Sequence, residues 1–126
     1  MPFSWRDYLA VARELATPQR PALLTEARER AAISRAYYAV FQAAVEAFRD
    51  RGEFSPHGHG GDHTALTDAL ARIPSKGHTR IAEALRRLRD ARNGADYKLV
   101  RPSGTLPAST VIAQAERVLQ LLAALP

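Results

Sequence analysis

The chain has 126 residues, no cysteine and a formal net charge of +5, with 25% charged residues. That length suits one domain over residues 1–126 with its own core, and the missing thiols exclude disulfides and thiolate metal sites. No apolar run approaches the ~20 residues needed to cross a bilayer, and Met1 to Arg13 lacks a signal core, so a cytoplasmic protein without membrane association is the default expectation.

Ser4-Trp5-Arg6-Asp7 has capping-box spacing with Asp in place of Glu. It predicts a first helix to about Ala16, with Trp5, Tyr8, Leu9, Ala12 and Leu15 facing inward. Thr17-Pro18 and Pro21 punctuate the connection, because proline is tolerated only in a loop or first turn. The longest helix follows from about Leu23 to Arg51, and Gly52 is placed to end it. Ile33, Tyr37, Phe41, Val45 and Phe48 form its bulky stripe, and Ala32, Ala36, Ala39, Ala43 and Ala47 form a narrow one. Two packing faces place such a helix at the centre of a bundle or at a dimer seam. Arg28, Arg35, Tyr38 and Gln42 share a further side.

Glu53 to Asp62 holds Pro56, Gly58, Gly60 and Gly61 and reads as a loop. Asp62 or Thr64 is the expected cap of a short third helix to about Ile73, closed by Pro74. Ser75 begins a fourth helix that runs to about Lys98. After the Arg101–Gly104 loop, Thr105 is placed to cap a fifth helix whose core face is Val111, Ile112, Ala115, Val118, Leu119 and Leu122. No segment alternates with period two. The expected fold is all-α, an up-and-down bundle of about five helices with two long antiparallel ones.

Charge is concentrated. From Arg72 to Arg101 nine basic residues meet three acids, which suits a polyanion or an acidic partner; a solvated helix face is the plain alternative. Within this stretch Ile81, Leu85, Leu88 and Ala95 mark one helix face. Eleven residues at about 100° bring Arg92 back to within roughly 20° of Ile81. An arginine on a packing face must meet an acid, a ligand, a phosphate or a subunit boundary, since an unpaired buried charge is too costly.

His57, His59, Asp62 and His63 are side chains that zinc or nickel accepts. A glycine-rich loop holds no ligand set in place, so no metal is expected. His63, at a helix start, is positioned to face the fourth helix. There is no P-loop, no dinucleotide fingerprint and no Glu-x-x-His pair, and Ser34 beside Arg35 has no nearby histidine. Arg89, Arg92, Asn93, Asp96 and Tyr97 remain, as a phosphate or nucleotide site or as structure in which Arg92 pairs with Asp96 one turn on.

Two stretches carry a family likeness. Ala31-Ala32-Ile33-Ser34-Arg35-Ala36-Tyr37-Tyr38-Ala39-Val40-Phe41 resembles the long-helix signature of small HEPN-domain proteins. Leu88 to Tyr97 resembles the second signature, an arginine followed by Ala-Asp-Tyr, and His63 sits where such proteins often carry a histidine opening a short helix. The resemblance covers about Ser4 to Leu125. It implies a helical bundle that dimerises with the arginine motifs facing a shared cleft, often as a toxin beside a nucleotidyltransferase antitoxin. It also implies, for active members, metal-independent RNA cleavage by an arginine and a histidine a few residues on.

Here the residue five after Arg92 is Tyr97, and Gly94, Ala95 and Asp96 occupy the positions counted from Arg89. A tyrosine with a pKa near 10 is a poor base at neutral pH. A base would have to be His63 or His78 entering from elsewhere, or Asp96, and neither substitute is adopted. The expectation is a HEPN-type RNA- or nucleotide-binding homodimer, the toxin or toxin-like half of a pair with a nucleotidyltransferase-type antitoxin, with no cofactor. Arg35, Tyr38, Arg89, Arg92 and Asn93 are the expected phosphate-binding residues, and Arg92, Asp96 and Tyr97 the candidates for any catalysis. The alternatives are an active metal-independent endoribonuclease and a non-catalytic dimerisation or interaction module.

Overall fold

The computed structural model describes residues 3–19, 24–58, 60–101 and 104–126. Five helices follow in chain order: α1 (Arg6–Ala16), α2 (Thr25–Asp50), α3 (Asp62–Ala71), α4 (Lys76–Tyr97) and α5 (Ala108–Ala123). The fold is an all-α bundle, with no strand among the described residues.

α2 and α4 run antiparallel. Ser34 bonds Asp96, the Tyr37 and Tyr38 rings meet Arg92, and Phe48 meets His78, so contacts climb α2 as they descend α4. α2 packs on α1, α4 and α5, while α3 lies against α4. Its two apolar faces are the reason, since Ile33, Tyr37 and Phe48 are buried together with Ala32, Ala36, Ala39 and Ala44. Ala43 and Ala47 of the expected narrow stripe are only half-buried. One buried cluster joins all five helices through residues such as Leu9, Val40, Leu66, Leu85 and Val118. In α1 only Leu9 and Ala12 are fully buried. Trp5 and Tyr8 are half-buried because their polar ends reach outward, the Trp5 indole donating to Glu46 at 2.9 Å.

The helix ends correct several expectations. Trp5, not Ser4, is the N-cap of α1, and the Ser4 hydroxyl accepts weakly from the Arg6 N–H at 3.3 Å, so the capping box does not form. α2 begins at Thr25 because Leu24 has a left-handed φ of 56°, which an ordinary helical turn cannot include; Pro21 and Leu23 lie outside the described residues. At its other end Gly52 has φ 72°. The Gly52 N–H donates to the Arg49 carbonyl at 3.0 Å and the Glu53 N–H to the Phe48 carbonyl at 2.9 Å. This is the Schellman arrangement that glycine permits, and it turns Glu53 back over the bundle.

Neither Asp62 nor Thr64 caps α3, whose N-cap is Gly61. The Asp62 carboxylate faces the preceding loop instead, accepting from the N–H groups of His57 at 2.9 Å and Gly58 at 2.7 Å. α3 ends at Ala71, short of Ile73. Ser75 does cap α4, its hydroxyl accepting from the His78 N–H at 3.4 Å, an interaction worth about 1 kcal/mol in helices generally. α5 starts at Ala108 rather than behind Thr105, because the Ala108 N–H is satisfied by Glu29 of α2 at 3.2 Å. No helix among the described residues is long and apolar enough to cross a membrane.

Candidate functional site

Arg92 is where the helical spacing puts it, on the packed face of α4 and 5% exposed. Its guanidinium carbon lies 5.4 Å from the Tyr37 ring centre, 5.4 Å from that of Tyr38 and 5.5 Å from that of Tyr97. Three π faces compensate part of the cost of a buried cation. Nη1 donates to the Tyr97 hydroxyl at 3.1 Å. The Asp96 carboxylate is 3.9 Å from Nη1, beyond hydrogen-bond distance, and accepts instead from the Ser34 hydroxyl at 3.1 Å. The Arg92 Nε is buried without a hydrogen-bond partner. Arg89, just under one turn earlier, donates to the Thr64 hydroxyl at 2.8 Å, and its Nε is likewise buried and unpaired. The Nε atoms of Arg28 and Arg101, outside this cluster, are buried and unpaired as well, so it is the pairing of this feature with the ring cage and the distant carboxylate that sets Arg92 apart.

A histidine completes the cluster. His63 lies in the first turn of α3, three and seven residues before the buried Leu66 and Leu70, so the same helical face carries all three inward. Its ring stacks on Phe41 at 4.1 Å between centres and on Tyr37 at 5.5 Å, and meets the edge of Tyr38 at 6.1 Å. Nδ1 shares a short hydrogen bond with the Tyr37 hydroxyl. Burial first, then the positive charges of Arg92 and Arg89, push the His63 pKa below its ordinary value, against a weaker opposite pull from Asp62. Burial pushes the Tyr37 phenol up, outweighing the same two arginines, so it stays protonated. The result is a neutral imidazole beside two cations, all reached from three helices.

Other expected residues are distributed differently. Tyr38 lines the Arg92 cluster, but Arg35 lies over the Tyr8 ring of α1 at 5.4 Å. Three residues of helix turn the two side chains about 60° apart, enough to send them to different neighbours. Asn93 is half-buried, on the same row of α4 as Arg89 and Tyr97. The dense positive charge of α4 also divides. Arg86 pairs with Asp68 at 3.5 Å, while Arg80 and Arg87 line a groove against α5 with Gln114 and Arg117. The loop histidines form no metal centre among the described residues, where no three candidate ligands converge; His59 lies outside them. His57 approaches Asp62 at 3.5 Å.

Sequence reasoning missed Arg30 and named His63 without adopting it. Arg30 of α2 donates to the carbonyls of Ala95 (3.1 Å), Lys98 and Leu99 (3.1 Å), fixing the end of α4 that carries Asp96 and Tyr97. Its lack of any periodic or motif signal hid it. His63 did have a signal, the spacing to Leu66 and Leu70, which marks it as inward.

An antiparallel helix pair with a third helix across it gathers a buried arginine, a second arginine and a histidine into one cluster of an all-α domain. The chain belongs to the HEPN domain family, matching it over residues 21–125. That span contains both resembling stretches and the whole cluster. Comparison with curated proteins and with solved structures gave no match. Membership supports a nucleotide- or RNA-related role in general terms.

Proposed function

We propose that this protein binds RNA or a nucleotide through phosphate in the cleft around Arg92, and that it is the toxin or toxin-like half of a pair with a nucleotidyltransferase-type antitoxin. One observation carries the binding part. The Arg92 guanidinium is balanced inside the chain by ring faces and a carboxylate 3.9 Å away, with Nε unpaired. A phosphate oxygen is the partner that this geometry lacks, and charge-assisted bonds from arginine are the strong kind. Arg89 adds a second cation on the same side, and Asn93 and Tyr97 flank the entrance.

Self-association fits the same end of the molecule. Tyr97, Leu99 and Val100 are 72%, 96% and 80% exposed beside the cleft, a cluster of apolar side chains of the type that marks interaction surfaces. A homodimer seated there brings two clefts together. The second reading, a dimerisation module without an RNA role, is favoured by the i,i+4 placement of Arg92 and Asp96. It predicts strong coupling of that pair in a double-mutant cycle and no RNA phenotype.

The test is RNA affinity measured across a salt series. Arg92→Ala weakens binding and reduces the salt slope by about one, as expected for a lost phosphate contact. Arg89→Gln, with no ring cage to disturb, repeats the measurement in case the first variant misfolds. Unchanged affinity and slope in both variants overturn the proposal.

A further inference from the structure

We infer that the groove between α4 and α5, on the side of α4 away from Arg92, docks an acidic amphipathic helix of another protein. The inference is independent of the RNA-binding reading and adds a second surface to it. The groove encloses about 240 Å³, and its walls carry Arg80, Glu83 and Arg87 from α4 and Arg117 from α5. Buried Ala84 and half-buried Leu121 form an apolar floor between them. The depression continues past Arg80 and Glu83 towards Ile73, Pro74 and Lys76 at the start of α4.

Helical spacing makes this one continuous feature. At about 100° per residue, Lys76, Arg80, Glu83 and Arg87 lie within roughly 60° of one another, and their row is roughly 150° round α4 from Arg92. The step from Lys76 to Arg87 is about 16 Å, or three turns of helix. The cations along it are free to meet a partner. Arg80 and Arg87 are exposed and make no ion pair or side-chain hydrogen bond among the described residues, and Arg117 holds only the Gln120 amide oxygen at 3.3 Å. The arginines on the other sides of α4 are engaged, Arg86 with Asp68 at 3.5 Å, Arg89 with Thr64 at 2.8 Å and Arg92 with Tyr97 at 3.1 Å.

Two features choose the occupant. The first is the floor. A phosphate strand gains nothing from Ala84 and Leu121, whereas a helix laid in the valley between two packed helices buries its apolar ridge there. The small Ala84 side chain lets that ridge sit close. The second is the sign pattern. Lys76, Arg80, Arg87 and Arg117 outweigh Glu83, so the occupant must carry acids. Glu83, in the middle of the row, repels an unbroken polyanion but accepts a lysine or arginine from a peptide. This chemistry defines a helix of about three turns, apolar along one ridge, acidic on its flanks and with one cation near its centre. A second copy does not fit, because each carries +5, and on α1 Asp7 and Glu14 each stand next to an arginine, Arg6 and Arg13.

The probe is a fluorescein-labelled, stapled helical peptide of about three turns, with leucines on one ridge, glutamates on both flanks and a single central lysine. It is titrated against the full chain by fluorescence anisotropy. Wild type binds it, and binding weakens as salt rises. The double variant Arg80→Glu with Arg87→Glu loses at least about tenfold in affinity, because attraction becomes repulsion. It recovers affinity for a peptide whose glutamates are exchanged for lysines. Leu121→Gln weakens binding without changing its salt dependence, the mark of an apolar contact. Arg89→Gln, in the cleft, leaves the peptide affinity unchanged, so the two surfaces stand or fall separately. A peptide that wild type does not bind, or that the double variant binds as well, overturns the inference. So does a double variant that loses as much affinity for single-stranded RNA as for the peptide, since the groove is then a nucleic-acid face. A change in its oligomeric state on sedimentation also overturns the inference, since a second copy then fills the groove.

Discussion

The two ends of α4 each bury a polar side chain, and they do so in opposite ways. Near the N-terminal end His78 has both ring nitrogens engaged. Nδ1 lies 2.8 Å from the Ser75 hydroxyl, and Nε2 lies 3.1 Å from each oxygen of Glu53. Phe48 covers the ring at 5.3 Å. About 21 Å of helix away, Arg92 keeps an unpaired Nε and a carboxylate at 3.9 Å. Both residues sit on the packed face, and burial alone does not separate them. Satisfaction does. A buried polar group with every bond made holds a fold together, whereas Arg92, left short, is the residue that the proposed phosphate would complete.

Three measurements can break that contrast. The largest effect is expected at His78. His78→Ala opens a cavity and leaves the Glu53 carboxylate with Arg51 alone, so urea denaturation should show a loss of about 2–4 kcal/mol, with RNA affinity unchanged. A loss below about 1 kcal/mol would erase the distinction between the two ends. Arg92→Met should alter stability by no more than about 1 kcal/mol in either direction, since an apolar side chain replaces a poorly paired charge. Destabilisation as large as that of His78→Ala would make Arg92 a structural residue.

The smallest effect is in the pH dependence. Hydrogen bonds from Arg51 and then His78 hold the Glu53 carboxyl below its ordinary value of 4.5. Its contribution is present above pH 4.5 and is lost as pH falls through the lower folded value. His63 is also lowered, from 6.5, so stability falls as pH drops below 6.5 towards its folded value. Denaturation midpoints against pH should therefore decline in two windows. Glu53→Gln should remove the lower decline and His63→Gln the upper one; a single window that survives both substitutions would contradict the assignment.

Much of the bundle is written in local chemistry. Hydrophobic spacing predicts all five helices, and Gly52 and Ser75 mark an end and a start because one supplies a left-handed turn and the other a capping oxygen. The caps proposed at Ser4, Asp62 and Thr105 failed where a competing partner took the same donor or acceptor, as Glu29 did at Ala108. The odd position of Arg92 was readable from a period of 3.6 residues, as was its place beside Asp96 and Tyr97 along one helix. Periodicity is a property of a single helix, so it determines which side chains point inward. It does not determine which inward side chains from different helices meet. The antiparallel pairing of α2 with α4, and the seating of α3 across them, put His63 against Tyr37 and Phe41 and sent Arg35 away to Tyr8. The chain alone made Arg92 an anomaly, and only the packing of three helices around it gave it a neighbouring histidine.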